Sequence, residues 1–476
     1  MKFLNEYLIP FLNYGIMIYA VVISASYLIL SRISSRFLTN YIHRTRHVKF
    51  DRYVASPLAP RVSIIAPAYN EGMTVIENVK SLLSLRYVNY EVIVINDGSK
   101  DDTLEKLIQH FKLTKTNFYF EEKIPCKEVL GVYRSSNPAF NKLWVIDKAN
   151  GGKADALNSG INLANGEYCA CIDVDCILEP DAILRMIKPM MEARKKRVIA
   201  SGGVVRIANN CEVKAGRLTK VHLPKSKLAL FQVVEYLRVF LLGRLAWAKL
   251  DGLLLISGAF GLFDREIVIE AGGYNHETVG EDMELVVRMR RMMNEQKRPY
   301  TVTFIPDPLC WTEAPESRKI LSRQRNRWTR GTIETLRDHR KMFFNKKYGV
   351  LGLLSFPYWF FFEWLAPLIE MAGLLYTIYL FATEHINFTF FLLLLLAVYT
   401  FALFISFFAI QTDLKTYDMY KDRGNQRRMM WAAMLEPFSF HPANTWNAIR
   451  GNWDFIRGKK SWGQMTRTGF TETKKP

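Results

Sequence analysis

Tyr168-Cys169-Ala170-Cys171-Ile172-Asp173-Val174-Asp175 is an apolar run of strand length that ends in two carboxylates. Side chains alternate along a strand, so Asp173 and Asp175 turn towards the same side and repel each other unless something neutralises them. The same layout recurs upstream. Residues 62–67 and 91–95 are apolar runs closed by Tyr69-Asn70-Glu71 and by Asn96-Asp97-Gly98-Ser99, and residues 143–146 lead into the glycine-rich Ala149-Asn150-Gly151-Gly152-Lys153. Residues 73–85, 103–111, 153–163 and 180–192 carry helical spacing between and after the runs. Strands alternating with helices predict an α/β domain on a parallel sheet. Ligands of such sheets bind beyond the carboxyl ends of the strands, where every one of these polar clusters falls.

The chain has 476 residues, 49% of them hydrophobic, with 64 basic against 45 acidic side chains and a net charge of +19. That composition excludes a disordered chain, a disulfide scaffold and a collagen-like repeat, and leaves a large core plus segments that sit in lipid. Cys126, Cys169, Cys171, Cys176, Cys211 and Cys310 lack zinc-ligand spacing and read as reduced thiols facing a cytosol. The basic excess is assigned to the inner leaflet of a membrane and not to nucleic acid.

Residues 7–31 run without a charge, and about 20 residues suffice to cross a bilayer. Arg32, Arg36, Arg44, Arg46, Lys49 and Arg52 follow, so the positive-inside rule makes the next domain cytoplasmic. Two further spans are expected at 364–382 and 388–410, returning the chain to a basic segment. The predicted division is a span with its basic flank (1–60), a cytoplasmic domain (61–340), an interface helix with two spans (341–414) and an interfacial segment (415–476). Within the last, 429–449 reads as an interfacial or re-entrant helix. A multi-pass protein of the cell (inner) membrane is expected. Glu363 and Glu370 share a helical face in or beside the second span, where a carboxylate needs a partner or a polar path.

Four motifs carry chemistry. The Asp173/Asp175 pair suits a hard divalent cation shared with substrate phosphates. Lys153 stands at a helix start behind two glycines, a place for an anion, although the spacing is not that of a nucleotide-binding P-loop. Gly280-Glu281-Asp282 opens a helix over 283–293, with Glu281 a cap and Asp282 free to accept a proton. Gln324-Arg325-Asn326-Arg327-Trp328 offers guanidinium forks for a diphosphate and a ring face for a sugar. Each alone has an ordinary structural explanation: a solvated turn, a glycine turn, a cap, or an amphipathic helix on a membrane.

In this order the motifs resemble a membrane-embedded family 2 glycosyltransferase of the processive type, the group of cellulose, hyaluronan and poly-N-acetylglucosamine synthases. The resemblance spans roughly 61–331 and the flanking spans. It implies a GT-A fold inserted between transmembrane helices and an inverting transfer from a uridine diphosphate sugar, with N-acetylglucosamine the favoured sugar. It further implies that Tyr69, Asn70, Glu71 and Asp97 contact the nucleoside, and that Lys153 and Asp173 bind the diphosphate and sugar. Asp175 would hold Mg²⁺ or Mn²⁺, and Asp282 would be the base. Gln324, Arg327 and Trp328 would hold the diphosphate and the polymer end. Ser257, Gly258 and Glu281, and more loosely Trp311 to Glu313, fall on the acceptor side. An accessory export subunit or a homo-oligomer is an expected partner. Transfer of one sugar to a lipid acceptor, a non-enzymatic scaffold, and a glycoside hydrolase using Asp173 and Asp282 remain alternatives.

Overall fold

Val62–Ala68 (β1), Tyr90–Asp97 (β2), Leu143–Lys148 (β5) and Tyr168–Ile172 (β6) lie side by side in the order β5-β2-β1-β6, all parallel. β2 is buried along its whole length and β1 nearly so, which is why both read as unbroken apolar runs and not as alternation. The computed structural model describes residues 7, 9–45, 59–214, 216–420 and 422–459. Most of the expected basic flank after the first span (Arg46, Lys49, Arg52), Lys421 and everything after 459 lie outside the described residues.

The sheet is mixed, which corrects the all-parallel expectation. Leu113–Thr116 (β3) and Val129–Ser135 (β4) add an antiparallel edge beside β5. On the other side Phe260–Asp264 (β11) runs antiparallel to both β6 and Arg197–Ile207 (β8), and β8 pairs in parallel with Tyr300–Thr312 (β12). The short Ile177–Leu178 (β7) closes the far edge of the ten-stranded sheet, and Glu212–Lys214 (β9) with Arg217–Lys220 (β10) form a separate ribbon. The regular strand–helix alternation stops near residue 192; beyond it, long loops and helices separate strands whose pairing the pattern does not specify. The antiparallel β11 has a use: it starts at the edge where β6 ends, so Ser257 and Gly258 arrive next to Asp173.

Among the described residues three helices are long and apolar enough to cross a membrane, Ile9–Thr45, Leu351–Ala382 and Phe388–Thr416, and their sides are almost entirely exposed, as lipid-facing surfaces would be. The second begins earlier than the sequence suggests, through a π-helical opening. The segment 429–449 belongs to one uninterrupted helix, Arg423–Ile456, despite Pro437 and Pro442. This helix packs on Arg318–Asp338 and Lys227–Tyr236 and exposes Trp431, Phe438, Trp446 and Trp453.

Buried ion pairs join the α/β domain to these helices. Arg206 at the end of β8 pairs with Asp413, both sealed from solvent. Arg238 holds Glu436 through both carboxylate oxygens and donates to Ser406 as well. Glu370 accepts hydrogen bonds from Thr445 (2.8 Å) and His441 (3.1 Å), so this carboxylate bonds a neighbouring helix. Such pairs offset their desolvation only when geometry is good and both partners are present. They fix the placement of the domain more than they stabilise it.

Candidate active site

The four parallel strands deliver their polar ends to one edge. β2 and β5 pair so that Asp97 faces Lys148 across the ladder. Lys148, with its side chain 0% exposed, bonds Asp97 at 3.0 Å and also pairs with Asp155 at 2.5 Å, and these acids outweigh burial and hold it above its ordinary range. Asp97 also accepts from Gly151 N–H (2.9 Å), Gly152 N–H (2.8 Å) and Asn150 Nδ2 (3.3 Å). Its carboxylate is thus occupied in shaping the 149–152 loop, where Gly152 takes φ +85°, open to glycine at little cost. Tyr69, Asn70 and Glu71 are knitted to the neighbouring turn: Asn70 Oδ1 accepts from Lys100 N–H (2.8 Å), and Glu71 N–H donates to Thr103 Oγ1 (2.9 Å). Tyr69 stays 46% exposed over this edge.

The loop aims Lys153 into the centre. Its ammonium pairs with Asp173, donates to the Gly258 carbonyl (3.3 Å) and stands 3.8 Å from Glu281. Burial opposes its charge, but Asp173, Glu281 and Asp282 together outweigh burial and hold Lys153 above its ordinary range. Asp282 accepts from Gly258 N–H (3.0 Å) and Met283 N–H (2.9 Å). Glu281 is not the helix cap expected from its position: the cap residue is Gly280, and Glu281 is 4% exposed. Burial, with Asp282 adding to it, raises the Glu281 pKa to about 7 against the pull of Lys153 and Arg327.

Asp173, Asp175 and Cys176 bring one ligand atom each to within 4.8 Å of one another. A bond with Cys310, and then burial, keep the Cys176 thiol well above its ordinary range. A neutral thiol is a poor ligand for a hard ion, whereas two carboxylates supplemented by substrate oxygens are the set that Mg²⁺ or Mn²⁺ prefers. The donor chemistry fits a divalent cation at Asp173 and Asp175.

The last motif arrives by a contact that sequence reading missed. Gly280 and Gly331 touch backbone to backbone; a Cβ on either would lie 2.6 Å from the other's Cα. Glu334, one turn on, accepts from Thr278 Oγ1 (2.6 Å) and Val279 N–H (2.9 Å). The helix Arg318–Asp338 is thereby pressed against the start of Glu281–Glu295, close enough for the Arg327 charge to act on Glu281. Arg325 grips Glu235 with two hydrogen bonds (2.7 and 2.6 Å) and lies 4.4 Å over the Trp328 ring, which is 41% exposed. Gln324 Oε1 is buried without a hydrogen-bond partner among the described residues. Trp311 does not line an open acceptor site: it is entirely buried, with Nε1 donating to Glu179 (2.8 Å).

Only with this geometry in place do the comparisons gain weight. Family models described as "Glycosyl transferase family 2" and "Glycosyltransferase like family 2" match residues 63–124 and 122–331, and one described as "Chitin synthase" matches 272–419. Residues 63–331 are a family 2 glycosyltransferase domain with a GT-A-type mixed sheet. The poly-beta-1,6-N-acetyl-D-glucosamine synthase of Staphylococcus epidermidis is similar at 29% identity over 294 residues, 62% of this chain and 60% of that protein. The synthase of Staphylococcus aureus (strain COL) is 26% identical over 275 residues, 58% of this chain and 55% of that protein. The chain thus spans about three fifths of the length of the curated relatives it matches. Among solved structures, a mannosyltransferase from Pyrobaculum calidifontis in complex with GDP-Man and Mn²⁺ aligns over 92% of this chain and 99% of that one, at 15% identity and a TM-score of 0.49.

Gly331→Ala should separate the two helices and lower sugar transfer at least about tenfold, while the thermal unfolding midpoint falls by only a few degrees; unchanged transfer would show the contact to be idle. A pH effect should follow from Glu281. Below pH 7 it is neutral; as the pH rises through about 7 it ionises, competes for Lys153 and repels a diphosphate. Binding of an intact nucleotide sugar, whose diphosphate does not titrate there, should weaken from pH 6 to pH 8 in the native chain, and Glu281→Gln should flatten that dependence.

Proposed function

We propose that this protein is an inverting glycosyltransferase that extends a β-linked polysaccharide from a uridine diphosphate sugar at the inner face of a membrane. The observation that carries the reading is the convergence of Lys153, Asp173, Glu281 and Asp282 on one spot at the carboxyl ends of the strands. The names of the relatives support uridine diphosphate N-acetylglucosamine as donor and a β-1,6-linked N-acetylglucosamine polymer as product.

The chemistry divides among this chain's own groups. A sugar hydroxyl is a weak nucleophile, and Asp282, held by Gly258 N–H, takes its proton as the bond to the anomeric carbon forms; a placed base contributes about 10²–10⁴-fold. Opposite-face attack inverts the anomeric centre and gives a β-linkage from an α-linked donor. The leaving diphosphate gathers negative charge beside Lys153 and Arg327, which stabilise it electrostatically. When bound at Asp173 and Asp175, a divalent cation supplies Lewis-acid stabilisation of that diphosphate. Tyr69 and the 98–103 turn border the nucleoside, and Trp328 offers its ring to the acceptor sugar.

The three apolar helices and the basic residues after the first of them support a domain on the cytoplasmic side of a multi-pass protein of the cell membrane. Purified protein incubated with a panel of labelled nucleotide sugars should convert uridine diphosphate N-acetylglucosamine into long chains; products bearing a single sugar on lipid would overturn polymerisation. Asp282→Asn should keep donor affinity within about twofold and lose transfer by about 10²-fold or more, and full activity in that variant would remove Asp282 from its role. Removing divalent cations with a chelator should stop transfer, restored by Mg²⁺ or Mn²⁺; an unchanged rate would mean that Asp175 holds no metal.

A further inference from the structure

Arg238 and Arg244 stand six residues apart on the π-helical segment Leu237–Arg244 and have opposite situations. Arg238 is locked in place by Glu436 and Ser406. Arg244 has its Nη1 sealed from solvent and without a hydrogen-bond partner among the described residues. One face of its guanidinium is covered by the Phe240 ring at 4.2 Å, which leaves the edge, with its N–H groups, as the bonding surface. Leaving a buried charged donor unmet is costly, so the arrangement calls for an acceptor that is supplied from elsewhere.

The surroundings say which acceptor. The Arg244 charge interacts with Asp282 on the catalytic side, with Tyr236 beside it and with Glu363 in the helix that enters the membrane. Burial lowers its pKa only to about 10, so it remains a cation at neutral pH. Tyr236 in turn interacts with Arg325, on the turn that carries Trp328, and with Cys176, beside the Asp173/Asp175 pair. Arg244 therefore stands between the base and the membrane helices, in ground the donor groups leave unclaimed. Two carboxylates in its field disfavour a further anion. A neutral ligand rich in oxygen acceptors fits: the rigid fork of a guanidinium matches adjacent hydroxyl and acetamido oxygens of a sugar ring. Trp247 packs against Tyr358 at 5.0 Å and ties the following helix turn to the span, so the Arg244 segment cannot drift from Glu363.

We propose that Arg244, backed by Phe240, is an acceptor-binding residue that holds the glycan next to its reacting end, between Asp282 and the membrane helices. The proposal rests on the transferase reading above. A β-1,6-linked N-acetylglucosamine pentamer serves as primer, with uridine diphosphate N-acetylglucosamine as donor. Arg244→Met should raise the primer KM at least about tenfold, the loss of one charged hydrogen bond, with the donor KM moving less than about twofold. Arg244→Lys, which restores a donor cation, should recover part of the primer affinity and guards against a folding defect in the methionine variant. An unchanged primer KM in both variants, or a donor KM that rises in step, overturns the assignment. Absence of any transfer by the native chain from this donor would instead overturn the transferase reading itself.

Discussion

A single ammonium group holds the site together. Lys153 is the cation within reach of three acids that come from two separate parts of the chain: Asp173 after β6, and Glu281 and Asp282 at the start of a helix more than a hundred residues later. Without it, like charges would crowd a partly buried pocket at a cost of several kcal/mol. Its own position is set further back, by Asp97, which spends its carboxylate on the loop in front of Lys153. Lys148 pairs with that buried acid and with Asp155 at once. The site is thus a relay of charge compensation that runs from the sheet interior to the catalytic edge.

A second constraint is steric. Gly280 and Gly331 approach so closely that no side chain fits, and that proximity couples the helix holding Asp282 to the helix holding Arg327 and Trp328. The Asn158 side chain does the same for the lysine helix: its amide accepts from Tyr274 N–H (2.7 Å) and donates to the Tyr274 carbonyl (2.9 Å). Rigid elements, and the loops bonded to them at Gly258 and Tyr274, therefore set the mutual distances of these side chains. A transfer that depends on in-line geometry to within about an ångström needs that rigidity.

The strands, their order of appearance and the polar clusters at their ends were legible because parallel strands buried on both faces write apolar runs, and turns write glycines and acids. The antiparallel half of the sheet was not, since β8, β11 and β12 are joined by long excursions that leave no periodic signature. Roles within a motif were also hidden. Asp97 shapes a loop, Glu281 is a buried acid and not a cap, and Trp311 is core; each depends on a three-dimensional neighbour. One signal was available: two adjacent apolar runs ending in Asp97 and Lys148 are of opposite sign, as paired strand ends would be. The Gly280–Gly331 contact left no trace, because a glycine at a close approach and a glycine at a turn look the same in one sequence.

The helix Arg423–Ile456 has a consequence for how the molecule is made. It packs on the helix carrying Trp328 and on Lys227–Tyr236, takes the buried Arg238 through Glu436, and receives a hydrogen bond from Asn326 at Asp454 (2.9 Å). The sugar-transfer domain therefore cannot reach its final packing while the ribosome is still making residues before 456. The three apolar helices all lie before that point in the chain, so they leave the ribosome before the domain completes its packing. Such an order ties the finished packing of the transferase domain to the apolar helices that precede Arg423–Ile456 in the chain.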